Sequence, residues 1–263
     1  MNIAILGCGW LGLPLGESLA KSNTVKGSVT STERFPLLQE KGIMPFCIDL
    51  NAPDVEVLQN FLDGCDVLII SIPPKAGVKS DLSYPERIKI IIPHIASSGV
   101  KNVLFTSSVS VYGEDESLPV VDETTLPNPQ TESGKQVLEA EMLLQDCPDF
   151  KTTIIRLGGL VGGERHPVYH LAGKQNLENA NGPVNLINRE ECIDIITRII
   201  QRQCWGEVFT AVHPTTKSRK EYYTEKAKEF GLPEPQFSEG GSSKGKVVKG
   251  QDKLAALLGF TFV

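Results

Sequence analysis

The segment Gly7-Cys8-Gly9-Trp10-Leu11-Gly12 follows directly on the apolar run Ile3-Ala4-Ile5-Leu6, and a helical pattern follows it in turn. A glycine turn in that place dictates how a chain begins to fold. Gly7 lets the backbone leave a strand sharply, Gly9 leaves space for another group to touch the main chain, and Gly12 lets the new helix pack closely on the strand. Amides at the helix start then face outward and make a seat for a pyrophosphate. The turn, including Cys8, Trp10 and Leu11, is expected to hold a dinucleotide; the Trp10 ring itself reads as local packing. The competing motif GxxxxGK[ST] is absent, so a P-loop kinase or ATPase is excluded.

Short apolar runs and helical patterns then alternate. Strands are expected at 2–6, 25–30, 43–48, 66–71, 103–107 and 152–157. Helices are expected at 87–97, with Ile88, Ile91, Ile92 and Ile95 on one stripe, and at 133–144. Strand and helix repeated in this way give right-handed crossovers and a mostly parallel sheet covered on both faces. The runs 3–6 and 67–70 do not alternate, as suits strands buried on both sides. Later come a helix at 190–200, a strand at 207–212 and a helix near 220–230. The stretch 240–249 reads as a loop with solvated lysines. The expected fold is α/β, a Rossmann-type doubly wound parallel sheet with a small C-terminal substrate region. Its core is residues 1–160, completed by about 185–215, and its substrate region is 161–184 with 216–263.

The end of the second strand selects the cofactor. A carboxylate there accepts from a ribose 2′-hydroxyl and favours NAD. This chain instead offers Thr30, Ser31, Thr32 and Arg34, whose hydroxyls and guanidinium suit a 2′-phosphate, so NADP is expected, with NAD as second choice. Glu33 lies among them and can serve the ribose or pair with Arg34. Asp49 and Leu50, after strand three, are expected beside the adenine, Asp49 also being a candidate cap for the next helix. Ser71, Ile72 and Pro73 are expected to run past the riboses.

Phe105-Thr106-Ser107-Ser108-Val109-Ser110-Val111-Tyr112-Gly113 resembles the strand-five signature of the short-chain dehydrogenase/reductase superfamily. The closer resemblance is to its extended epimerase/dehydratase-like branch. Asp122-Glu123, Pro127-Asn128-Pro129, Lys135, Arg156 and the segment 185–191 extend the likeness over essentially the whole chain. The resemblance implies that Ser108 holds the substrate oxygen, that Lys135 binds the nicotinamide ribose, and that Ser107 joins the cofactor contacts. Two departures stand out. The branch normally carries GxxGxxG where this chain has GxGxxG, and the family's Tyr-xxx-Lys pair is here Thr131-Glu132-Ser133-Gly134-Lys135. The chain thus resembles an atypical member that keeps the cofactor frame and lacks the tyrosine. Ser108, Thr131 and Lys135 are the catalytic candidates. An aliphatic hydroxyl lies far above the pKa range of a useful acid/base, whereas a phenol is tunable.

Two functions follow as expectations: an oxidoreductase, epimerase or dehydratase acting on a small polar, sugar-like molecule, or a catalytically silent NADP-binding redox sensor or regulatory module. With 26 basic and 32 acidic residues the net charge is −6, which argues against a nucleic-acid or membrane-surface partner. No apolar run approaches a membrane span and no signal peptide is read at the start. The six cysteines have no CxxC spacing and suit a cytoplasmic protein with reduced thiols. His166 and His170 stand four apart, but no third ligand beyond Glu164 accompanies them and no metal is expected; either is open as a substrate contact. A homodimer through core helices is implied only by analogy with the branch.

Overall fold

The computed structural model describes residues 1–74, 82–238 and 243–262. In chain order the elements begin with β1 (Asn2–Leu6), α1 (Gly12–Ala20), β2 (Thr24–Val29), α2 (Phe35–Glu40), β3 (Ile43–Cys47), α3 (Val55–Leu62), β4 (Val67–Ile70), α4 (Tyr84–Ser98) and β5 (Asn102–Ser108). There follow β6 (Val120–Val121), α5 (Glu132–Gln145), β7 (Lys151–Leu157), β8 (Gly159–Val161), α6 (Val168–Leu171), β9 (Leu186–Asn188) and α7 (Arg189–Arg202). The chain closes with β10 (Val208–Ala211), α8 (Arg219–Glu229), β11 (Val247–Val248) and α9 (Gln251–Leu258).

One seven-stranded sheet runs in the order β10-β7-β5-β4-β1-β2-β3. It is the expected α/β Rossmann-like sheet, parallel in register: Ile3 lies opposite Val25 on one side and Val67 on the other. The strand order reverses between β1 and β4, and ligands of such sheets bind outside the carboxyl ends at that point. Apolar runs without alternation explain the burial, since Ile3, Ile5, Val67 and Ile69 are each 0% exposed. Helix α4 starts ahead of its apolar stripe. Ser83 and Glu86 form a capping box and Pro85 occupies the first turn, where a missing amide costs nothing. Its Ile88, Ile91 and Ile95 are buried.

The chain forms two compact units. The first comprises Met1–Ser107, Thr131–Ile155 and Ile193–Val208; the second comprises Ser108–Gln130, Arg156–Cys192 and Phe209–Val263. The second unit has two small sheets, β11 with β6 and β8 with β9. It also has a cluster in which Val168, Tyr223 and Ala227 pack with Leu171, Tyr222, Leu232 and Phe237.

The expectation of a loop over 240–249 is corrected where it can be examined, residues 240–242 lying outside the described ones. Val247 and Val248 pair in parallel with Val120 and Val121. Lys246 is buried, and its ammonium donates to the Tyr112 carbonyl at 2.8 Å and to Glu114 Oε1 at 3.4 Å. A lysine with a carbonyl and a carboxylate to receive its protons does not need water. Among the described residues no helix is long and apolar enough to cross a membrane.

Candidate functional site

The glycine turn forms at the carboxyl end of β1. Gly7 has φ +103°, and a Cβ there would stand 2.7 Å from the Ser71 carbonyl oxygen and 2.8 Å from the Ile72 side chain. Gly12 opens α1, and a Cβ on it would meet the Gly7 carbonyl oxygen at 2.1 Å. Gly9 differs from both: a Cβ there would meet nothing within 4 Å. The three glycines therefore divide the work between left-handed backbone, helix–strand contact and an open face.

Ser28, on β2, fixes the turn, a role separate from the 2′-phosphate expected of the hydroxyls in the segment 28–34. It is buried; its hydroxyl accepts from the Gly7 amide at 2.9 Å and its carbonyl accepts from the Cys8 amide at 2.8 Å. Cys8 is turned inward against Gly27. Burial pushes its thiol up to about 12, against a smaller downward pull from the Arg34 guanidinium. At neutral pH Cys8 is a protonated filler rather than a nucleophile. The Arg34 charge is felt at the turn even though the side chain is exposed. Leu11 is buried and Trp10 half-buried.

At the carboxyl end of β2, Thr30 and Thr32 are exposed, and Ser31 caps the one-turn 3₁₀ helix Thr32–Arg34 by accepting from the Glu33 amide at 3.3 Å. Asp49 does not cap α3. It accepts from the amide and the side chain of Asn51, at 2.9 and 2.7 Å, while Asp54 caps α3 through the Glu56 and Val57 amides. Leu50 beside it is buried. After β4, the Ser71 amide donates to the Leu6 carbonyl at 2.9 Å, the Ile72 carbonyl accepts from the Tyr84 hydroxyl at 3.1 Å, and Pro73 is exposed. Arg87, buried in α4, donates to the Pro74 carbonyl at 2.7 Å.

The catalytic candidates sit at element ends. Thr131 is the N-cap of α5, where its hydroxyl accepts from the Gly134 amide at 3.1 Å. The Lys135 amide donates to the Thr131 carbonyl at 3.0 Å, so the two share the first turn, with both side chains exposed. Ser107 is buried and donates to the Glu141 carboxylate on α5. Ser108, the last residue of β5, accepts from the Ser110 amide at 3.1 Å. The Tyr112 hydroxyl is engaged, donating to the Asp122 carbonyl at 2.6 Å and accepting from Arg156 at 2.9 Å. His166 is buried and His170 exposed. Among the described residues no group of three or more His, Cys, Asp or Glu side chains is placed to hold a metal.

The family model described as NAD(P)H-binding matches residues 7–202, from the first glycine of the turn to the end of α7. The chain belongs to the NAD(P)H-binding family. It is 33% identical over 266 residues to Protein YeeZ of Escherichia coli K12, covering 99% of this chain and 95% of that protein. Family membership fits the atypical place within the short-chain dehydrogenase/reductase superfamily that the strand-five signature implies. Solved structures share the fold. The UDP-glucuronic acid 4-epimerase of Bacillus cereus in complex with NAD superposes with a TM-score of 0.80 at 17% identity, over 100% of this chain and 94% of that one. MoeE5 in complex with UDP-glucose and NAD gives 0.80 at 17% identity over the same shares. The open Gly9 and the left-handed Gly7 fit a family dinucleotide.

Proposed function

We propose that this chain is a dinucleotide-dependent oxidoreductase, epimerase or dehydratase acting on a small polar, sugar-like molecule, without the tyrosine its branch normally uses. The observation that carries the proposal is the glycine turn, with Gly9 unobstructed and Gly7 in the left-handed region. The relatives support it by analogy, since the Bacillus cereus epimerase binds NAD and MoeE5 binds NAD and UDP-glucose.

The preferred cofactor is NADP. Arg34 stands two residues past the Thr30–Thr32 hydroxyls, and its charge is felt at the turn. The nicotinamide, when bound, gives or takes a hydride. Lys135 is assigned to the ribose hydroxyls, Ser108 to the substrate oxygen, and Ser71, Ile72 and Pro73 to the cofactor's flank. Thr131 donates or accepts a hydrogen bond but does not exchange a proton at neutral pH. The second reading, a catalytically silent NADP-binding sensor or regulatory module, is favoured by the use of the Thr131 hydroxyl as a helix cap.

The test is fluorescence titration with NADPH and NADH, followed by absorbance assays of cofactor turnover with nucleotide sugars. NADPH binding tighter than NADH, with turnover of a polar carbonyl or hydroxyl compound, supports the enzyme. Tight binding with no turnover across the panel favours the module. Failure to bind either dinucleotide sinks both.

A further inference from the structure

The second unit contains a cleft of about 630 Å³ lined by residues of β8, β9 and α8 and by the chain after β10. None of its lining residues belongs to the cofactor assignment above. Its polar wall holds an ordered chain of donors. The Val168 amide donates to His166 Nδ1 at 3.1 Å, so that nitrogen carries no proton and Nε2 must. His166 Nε2 therefore donates to the Tyr222 hydroxyl oxygen at 3.2 Å. Burial, then Lys226, holds His166 below its ordinary value, which keeps this tautomer neutral. The phenol's own proton is left over: among the described residues His166 is the hydrogen-bond partner recorded for the Tyr222 hydroxyl.

The titratable side chains lining the cleft already have partners. Lys226 meets Glu229 at 2.7 Å, His213 Nδ1 meets Glu191 at 2.8 Å, and Glu190 is held by Arg189 at 3.1 Å. Glu191 Oε2 also accepts the Asn188 amide at 3.1 Å. The lining also carries apolar residues, Val161, Val184, Leu186, Ile187 and Phe230, the last packing edge-on to the His166 ring at 5.5 Å. Gly163, another lining residue, leaves open space where a side chain would stand. An anion would meet Glu190, Glu191 and Glu229 against one lysine that is already engaged, and any full charge would lose hydration against the apolar residues.

We propose that this cleft binds an uncharged small organic molecule, with a carbonyl or ether oxygen accepting from Tyr222 and an apolar body against the apolar part of the lining. The site excludes phosphates and does not depend on the dinucleotide reading.

The experiment titrates the full chain with four molecules of one shape: 2-tetralone, tetralin, 2-aminotetralin and tetralin-2-carboxylate. Affinities are read by calorimetry and by saturation-transfer NMR, in the parent and in Tyr222→Phe. The ketone is expected to bind at least tenfold more tightly than the amine or the carboxylate. Tyr222→Phe keeps the ring and its packing; it should weaken the ketone about fivefold or more and leave tetralin unchanged. An unaltered thermal midpoint and unaltered NADPH affinity in the variant show that the loss is local. The proposal is overturned if either charged molecule binds as well as the ketone, if Tyr222→Phe binds the ketone like the parent, or if none of the four binds.

Discussion

Gly7 gives its amide to the Ser28 hydroxyl at 2.9 Å, and that single bond ties the tightest point of the turn to the neighbouring strand. The serine is 3% exposed, so alanine in its place strands an amide that has little water to turn to. Ser28→Ala is expected to cost about 1–2 kcal/mol of stability and to loosen the turn, weakening NADPH binding. Urea denaturation together with a fluorescence titration checks both; an unchanged affinity would show that the turn holds its shape without the Ser28 hydroxyl.

Gly9 and Gly12 should separate binding from folding. Gly9→Val places a side chain in open space, so the thermal midpoint should hardly move while dinucleotide affinity falls more than tenfold. Gly12→Ala drives a methyl to 2.1 Å from a backbone oxygen, so it should lower the midpoint before any ligand is added. Identical behaviour of the two variants would contradict the division of roles among the glycines.

Arg34→Ala should weaken NADP more than NAD, by about 1–2 kcal/mol, the worth of a charge-assisted bond. The comparison of interest is the ratio of the two affinities in parent and variant. A parent that prefers NAD would refute the assignment.

Thr131 supports a paired test. Thr131→Ala removes the α5 cap and should cost about 1 kcal/mol. Thr131→Tyr also removes it but sets a phenol one turn before Lys135. If the frame is a depleted reductase site, carbonyl reduction should rise by about 10²–10⁴-fold, the usual worth of general acid catalysis. No gain, with a variant structure in which the phenol points away from bound nicotinamide, would overturn the alignment of Thr131 with the family tyrosine.

What the sequence made legible was whatever depends on neighbours. The glycine turn, the buried strands and the isoleucine stripe of α4 are local patterns, and periodicity exposes them. The start of α4 at Tyr84 was also written in local chemistry, as Ser83, Pro85 and Glu86 ahead of the stripe. Asp54 rather than Asp49 caps α3, a choice between two nearby aspartates that composition does not make. Ser28 and Lys246 were hidden for a different reason. Their partners lie 21 and 134 residues away, and a serine in a strand or a lysine in a Gly-Ser-Lys stretch carries no mark of a distant acceptor.

Stability should also respond to His166. Its folded-state pKa lies below the ordinary 6.5, chiefly through burial, so the unfolded chain takes up this proton first as pH falls. Stability therefore declines as pH drops through 6.5 toward the folded value. The carboxylates held low by hydrogen bonds, such as Glu86 and Glu221, act in the same direction but below 4.5. Thermal midpoints compared at about pH 7.5 and 5.5 should fall more in the parent than in His166→Gln; an equal fall would remove His166 as the source.

The backbone crosses from one compact unit to the other at five junctions, after Ser107, Gln130, Ile155, Cys192 and Val208. No single cut separates the two units, and a fragment ending near residue 160 would lack Ile193–Val208. A change of substrate then falls on residues within these interleaved segments rather than on one exchangeable piece of chain. Divergence of this kind leaves relatives alike in length and fold and different at their ligands.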